Sequence, residues 1–149
     1  NLATNGAIYG KLYNWYAVNN AHNLVYFEKN GVQQTGWRVA SKSDVATLVS
    51  YVGGASVAGG ELKETGTTHW DSPNTSAVDT YGFKAIGSGY RHANDGTFSG
   101  YKTFHYWWTS TSYDTTDAWN EYFWYNDAAI HEWHNKKQFG LGVRCVRDI

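Results

Sequence analysis

With 149 residues, the chain is one domain's worth, long enough to bury a core without staples. A net charge of -1 with 17% charged residues leaves no basic face for nucleic acid, and no apolar run reaches the roughly 20 residues of a membrane span. The one cysteine, Cys145, excludes an internal disulfide, and no basic-then-apolar signal peptide opens the chain.

In chain order, Asn1-Leu2-Ala3-Thr4-Asn5-Gly6 reads as the middle of something. Residues 1–149 are therefore expected to be a single domain, processed from or forming the C-terminal part of a longer protein. Tyr9 to Val18 is rich in aromatic and apolar residues and reads as a strand running into a short helix. Asn19 to Gly31 is polar and loop-like, and Gly36-Trp37-Arg38-Val39 reads as a short strand. The clearest element follows. Ser41 with Asp44 three residues on fits a capping box. Val45, Leu48, Val49 and Val52 then fall on one helical face, and Gly53-Gly54 closes it. The spacing predicts a helix over 42–52.

From Gly53 to Tyr101 the chain is rich in Gly, Ser, Thr and Asn, which predicts long loops with brief strands and an α+β fold with few regular elements. Gly53-Gly54 and Gly59-Gly60 read as turn glycines, since the lysine and the strand–loop–helix order of a phosphate loop are missing. Residues 106–111 read as a strand. Trp119 to Tyr125 and Ala129 to His134 read as a hairpin around Asn126-Asp127, and Leu141 to Arg147 as a buried final strand. Beside Val143 and Val146, Cys145 is expected to be a small buried apolar residue rather than a reactive thiol. No long internal repeat or low-complexity linker interrupts the chain.

Aromatic residues make up 17% of the chain, and 12 of the 33 positions from Tyr101 to Trp133 are aromatic. A core does not usually absorb so many rings, so some are expected on the surface, where Tyr and Trp dominate recognition. Alternation along the hairpin puts Glu121, Phe123, Tyr125, Ile130 and Glu132 on one face. Asn120, Tyr122, Trp124, His131 and Trp133 fall on the other, with His134 and Asn135 just beyond. The second face has almost no aliphatic content. It reads as a binding surface, the alternative being a second buried face whose rings cover the long loops.

No catalytic centre is legible. His131 and His134, the closest histidine pair, sit at i, i+3 on a strand and point to opposite faces, unlike the i, i+4 helical pair of a zinc peptidase. No Gly-x-Ser-x-Gly elbow exists. Glu121 and Glu132 share a face and could form a strained pair with raised pKa values, or be neutralised by Lys137 or Arg144. The expectation is no metal, no cofactor and no catalytic residue.

Six ordered blocks carry a resemblance. They are Tyr9-Gly10-Lys11-Leu12-Tyr13-Asn14-Trp15-Tyr16-Ala17-Val18, Gly36-Trp37-Arg38-Val39, the run from Gly60 to Trp70, Gly89-Tyr90-Arg91, Trp107-Trp108-Thr109-Ser110-Thr111, and Gly142-Val143-Arg144-Cys145-Val146-Arg147-Asp148. Together they resemble the Fibrobacter succinogenes major paralogous domain, from about Tyr9 to Asp148. That family is similar to the formylglycine-generating-enzyme branch of C-type lectin-like folds and occurs in secreted or surface bacterial proteins. Its C-terminal part also resembles the variable proteins of diversity-generating retroelements, in which a fixed scaffold carries diversified ligand contacts.

The resemblance implies a scaffold of Trp107, Ala118, Phe123, Tyr125, Ile130, Gly140, Val143, Arg144 and Val146. It implies ligand contacts at Tyr113, Asp114, Asp117, Asn120, Tyr122, Trp124, Asp127, His131, Trp133, His134 and Asn135. Departures are Ala40 where the family usually has Pro, and Glu121 and Glu132 where it often has Arg. With Cys145 alone, the paired-cysteine chemistry of formylglycine-generating enzymes is not available. Ser72-Pro73-Asn74 and Tyr125-Asn126-Asp127 only partly echo the calcium motifs of animal C-type lectins. The expected function is a ligand-recognition module, extracellular, on a bacterial surface or a phage particle. Its partner would be a protein or a glycan on another cell surface. The alternatives are a structural or adhesive subunit of a surface assembly, or a calcium-independent lectin.

Overall fold

The computed structural model describes residues 2–20, 24, 28–33 and 35–148. It is a mixed α+β arrangement of few, short helices and a curled sheet. Helix α1 spans Leu2–Tyr9 and α2 spans Trp15–Val18. A small hairpin, β1 Glu28–Lys29 with β2 Val32–Gln33, precedes β3, Trp37–Val39. Helices α3, Lys42–Tyr51, and α4, Ala55–Leu62, follow back to back. The sheet strands are β4 Ser88–Arg91, β5 Phe98–Tyr101, β6 Phe104–Ser112, β7 Asp117–Trp124, β8 Ile130–Lys136 and β9 Gly142–Val143. Strand β10, Cys145–Arg147, returns to pair with β3. The order β5-β4-β6-β7-β8 leaves β8 at a free edge, and β9 joins β6 in parallel.

Helix α3 forms where its spacing predicts. The Ser41 hydroxyl accepts from the Asp44 backbone N–H while the Asp44 carboxylate accepts from the Ser41 N–H, a complete capping box. Asp44 also holds Arg38, which reaches Asp148, so the cap ties the start of α3 to the residue just after β10. Val45 and Val52 are buried, while Leu48 and Val49 pack half-buried against the same core.

Several expectations need correction. Tyr9 to Val18 contains no strand; Tyr13 makes one bridge to Leu141 before α2, and α1 lies ahead of it. The loop reading of Asn19 to Gly31 falls partly outside the described residues, at 21–23 and 25–27, and its end belongs to the β1–β2 hairpin. Gly59 and Gly60 are not turn glycines. They lie inside α4, where a side chain at Gly59 would meet the Ala129 carbonyl oxygen at 2.3 Å. The final strand is two short strands in different sheets, and Cys145 is exposed. Val146 takes the inward position on β10, so alternation turns its neighbour outward.

Strand β6 separates two cores through consecutive tryptophans. Trp107 faces α3 and α4 with Phe123, Ile130, Leu62 and Trp70. Trp108 faces the other way, under α2, with Trp15, Ala118 and Leu141. Both Trp108 and Trp15 are buried with their indole N–H satisfied, by the carbonyls of Tyr13 and Thr109.

Candidate recognition surface

The β7–β8 register pairs Tyr122 with His131, Asn120 with Trp133 and Glu121 with Glu132. The alternation read from the sequence therefore gives the faces correctly. One face carries Phe123, Ile130 and Glu121, all buried. The other carries Ala118, Asn120, Tyr122 and Trp124 on β7, continued by Phe104 and Tyr106 on β6 and by His131 and Trp133 on β8.

That second face is half covered. Towards Ala118 it lies under α2, Leu141 and Phe139; towards the hairpin turn it is open. Asn120 falls on the covered side and is fully buried, which corrects its expected place among the exposed contacts. Its Oδ1 accepts from Nδ2 of Asn135 at 2.8 Å. Its own Nδ2 has no partner among the described residues. Alternation assigns a face but does not say what covers it. Asn135 is half-buried and lines a pocket of about 190 Å³ with Tyr90, His92, Tyr106, Phe139 and Leu141.

On the open side the rings stack. Trp124 lies over Phe104 at 5.7 Å, and Tyr122 lies between Tyr106 and His131 at 4.8 Å from each. Burial pushes the Tyr106 phenol up to about 12, with Tyr122 and Tyr90 adding to it, so the hydroxyl stays protonated. Phe104 and Tyr106 are additions to the residues named from sequence. Their i, i+2 step, in phase with Trp108, was the available signal.

A second stack wraps the free edge. The rings of Tyr113 and His134 are 3.9 Å apart and nearly parallel, and Trp133 lies parallel to His134 at 5.4 Å. His134 belongs to the opposite face, opposite Trp119, yet at the edge strand its ring meets that of Trp133. The expected single cluster is thus two adjoining stacks. Trp133 is 57% exposed, Tyr113 47% and Trp124 38%.

The polar residues named from sequence mostly build the frame around these rings. Asp114 accepts from the backbone N–H groups of Thr116 and Asp117, which closes the loop between β6 and β7 and holds its carboxyl low. Asp117 accepts from His134 Nδ1 at 2.9 Å and so orients that ring. Asp127 accepts from the Ala129 N–H at 3.0 Å and from His131 Nε2 at 2.8 Å, and these bonds, the backbone one foremost, hold its carboxyl below the usual range. Beneath the turn, buried Lys63 donates to the carbonyls of Trp124, at 3.1 Å, and Asp127, at 2.7 Å. The exposed Trp124 ring therefore stands on a backbone pinned from below.

His131 and His134 are occupied by different rings and different aspartates. Among the described residues no group of three or more His, Cys, Asp or Glu is placed to hold a metal ion. In Ser72-Pro73-Asn74, the Asn74 amide donates to the carbonyls of Glu64 and Gly66, and so serves a loop. The Glu121 and Glu132 pair is approached by Lys42, whose ammonium is 2.9 Å from Glu132. The expected neutralisers are engaged elsewhere: Lys137 donates to the carbonyls of Asp114 and Thr115, and Arg144 lies over Phe83.

Compared with known families, residues 1–147 match the one described as Fibrobacter succinogenes major domain. No curated protein and no solved structure matches the chain.

Proposed function

We propose that this chain, which belongs to the Fibrobacter succinogenes major domain family, is a non-catalytic ligand-recognition module of C-type lectin-like architecture. In this reading its contacts are Tyr113, Tyr122, Trp124, His131, Trp133 and His134, with Asp114, Asp117, Asp127 and Asn135 shaping their setting. The ligand is a protein surface ahead of a glycan, met outside the cell from a bacterial surface or phage particle. One observation carries the reading: two adjoining ring stacks end in exposed Trp124, Trp133 and Tyr113, on backbone fixed by buried groups. Large rings with few rotatable bonds lose little entropy when a ligand covers them, and a pinned backbone lowers the cost of binding further. The polar rim of aspartates and histidines supplies orientation.

The likeness to variable proteins of diversity-generating retroelements makes a sharper proposal, that these outer positions are diversified. Sequencing closely related copies tests it. Changes should concentrate at Tyr113, Tyr122, Trp124, His131, Trp133 and His134, while Trp107, Phe123 and Ile130 stay fixed. Copies in which Trp124 and Trp133 are as fixed as Trp107 would contradict it, and would favour a constant contact within a surface assembly.

A further inference from the structure

On the face of the β7–β8 hairpin turned away from Trp124 runs a groove of about 200 Å³, walled by α3 and the start of α4. Val45, Ala46 and Val49 come from α3, and Ile130 from β8; Glu121 and Glu132 stand in it side by side on paired strands. Glu121 is 4% exposed, and no hydrogen bond or ion pair reaches its carboxyl from any described residue. Among the described residues only Lys42 brings positive charge to Glu121, and its ammonium is committed to Glu132 and to the face of Trp119, 3.3 Å from the ring centre. Two carboxyls thus share one resident cation.

We infer that this groove binds a primary alkylammonium group, the ammonium between Glu121 and Glu132 and its alkyl stem along Val45, Val49 and Ile130. A mostly buried carboxyl with no protein partner is costly when charged, and the Glu121 oxygens open to the groove instead of being sealed in the core. An ammonium has three donors and supplies what is missing. The walls are aliphatic and suit a short alkyl chain, whereas a bare metal ion would find too few oxygens. Burial, together with Glu132 opposite and despite Lys42, pushes Glu121 up to about 8. Trp107, facing Glu121 from β6, bears no charge, and α4 contributes only Ala55. At neutral pH Glu121 is therefore mainly protonated, and binding releases that proton to solvent as the ammonium takes its place. The groove lies on the sheet face opposite Trp124, and it touches the second ring stack through Lys42 on Trp119.

Titration calorimetry of the whole chain with n-butylammonium tests this, with n-butanol as a neutral ligand of the same stem. Butylammonium is expected to bind at least about tenfold tighter than butanol at pH 9. Its affinity should fall roughly tenfold or more by pH 6.5, with proton release seen as a dependence on buffer ionisation heat. Glu121→Gln should erase the preference for the cation, and Trp124→Ala should leave it intact. Should Glu121→Gln fail to fold, Ala46→Leu on the exposed side of α3 should block the groove and abolish binding. Repeating the titration with 1,5-diaminopentane and with a blocked Gly-Lys-Gly peptide separates a free amine from a lysine side chain, and binding of either supports the inference. Butylammonium bound no better than butanol, or bound equally by Glu121→Gln, overturns it.

Discussion

Gly59→Ala is expected to lower the melting temperature by roughly 10 °C, corresponding to about 3 kcal/mol. In an exposed helix the same change would stabilise by about 1 kcal/mol, because alanine is the better helix former. Here the sign reverses. The new methyl would stand 2.3 Å from the Ala129 carbonyl oxygen and 2.8 Å from that of Ala128. These are backbone atoms and cannot rotate away. The Gly60 N–H also donates to the Ala128 carbonyl at 2.9 Å, so α4 is laid directly on the end of the hairpin turn. Any retreat breaks that bond and lifts the turn that carries Trp124. A thermal melt by circular dichroism reads the effect. An unchanged or raised melting temperature would mean that α4 does not lie against the turn.

Lys63→Met should cost about 3 kcal/mol, the balance of two lost charge-assisted hydrogen bonds against relief from burying an ammonium. Methionine matches the stem in length, so packing against Trp70 is kept and the loss isolates the ammonium. It donates to the carbonyls of Trp124 and Asp127, which would then be left without that donor. Burial lowers Lys63 to about 8, with Asp127 partly opposing the shift. The unfolded chain holds this proton up to its ordinary value near 10.5. Between pH 8 and 10.5 the unfolded state thus binds more protons, and the contribution of Lys63 makes stability rise with pH. Denaturant titrations at pH 7 and pH 10 should find the margin of the parent chain over Lys63→Met wider at pH 10, because every other titrating group is common to both. A variant as stable as the parent at pH 7 would remove Lys63 as the support of the turn.

What could be read from sequence was what local physics decides. The Ser41 and Asp44 cap with its apolar i, i+3, i+4 face gives α3, and period-two alternation gives the two faces of β7–β8, both of which the fold bears out. What could not be read depends on partners far along the chain. Gly59 and Gly60 look like turn residues because glycine weakens a helix; only the approach of Ala128 and Ala129 explains a glycine pair within α4. Asn120 alternates in phase with Tyr122 and Trp124, yet it is fully buried beside Trp108 and Asn135, and its position gives no local sign of that cover. His134 reads as lying just beyond the face that carries Trp133; the edge position of β8 lets the two rings stack from opposite faces. Cys145 has apolar neighbours but points outward because Val146 takes the inward position on β10.

The central claim is that the ring stacks around Trp124 and Trp133 recognise a ligand, and truncation on a binding array tests it most directly. The parent chain, Trp124→Ala and Trp133→Ala would be compared on one array of surface proteins, peptides and glycans, with a thermal melt of each. The account predicts that both variants melt within a few degrees of the parent, since both side chains are largely outside the cores. It predicts that each loses about 30-fold or more in affinity for whatever the parent binds, the scale of a hot-spot truncation near 2 kcal/mol. Variants that bind as tightly as the parent would contradict it, and so would unfolding of either variant, which would make these rings part of the core.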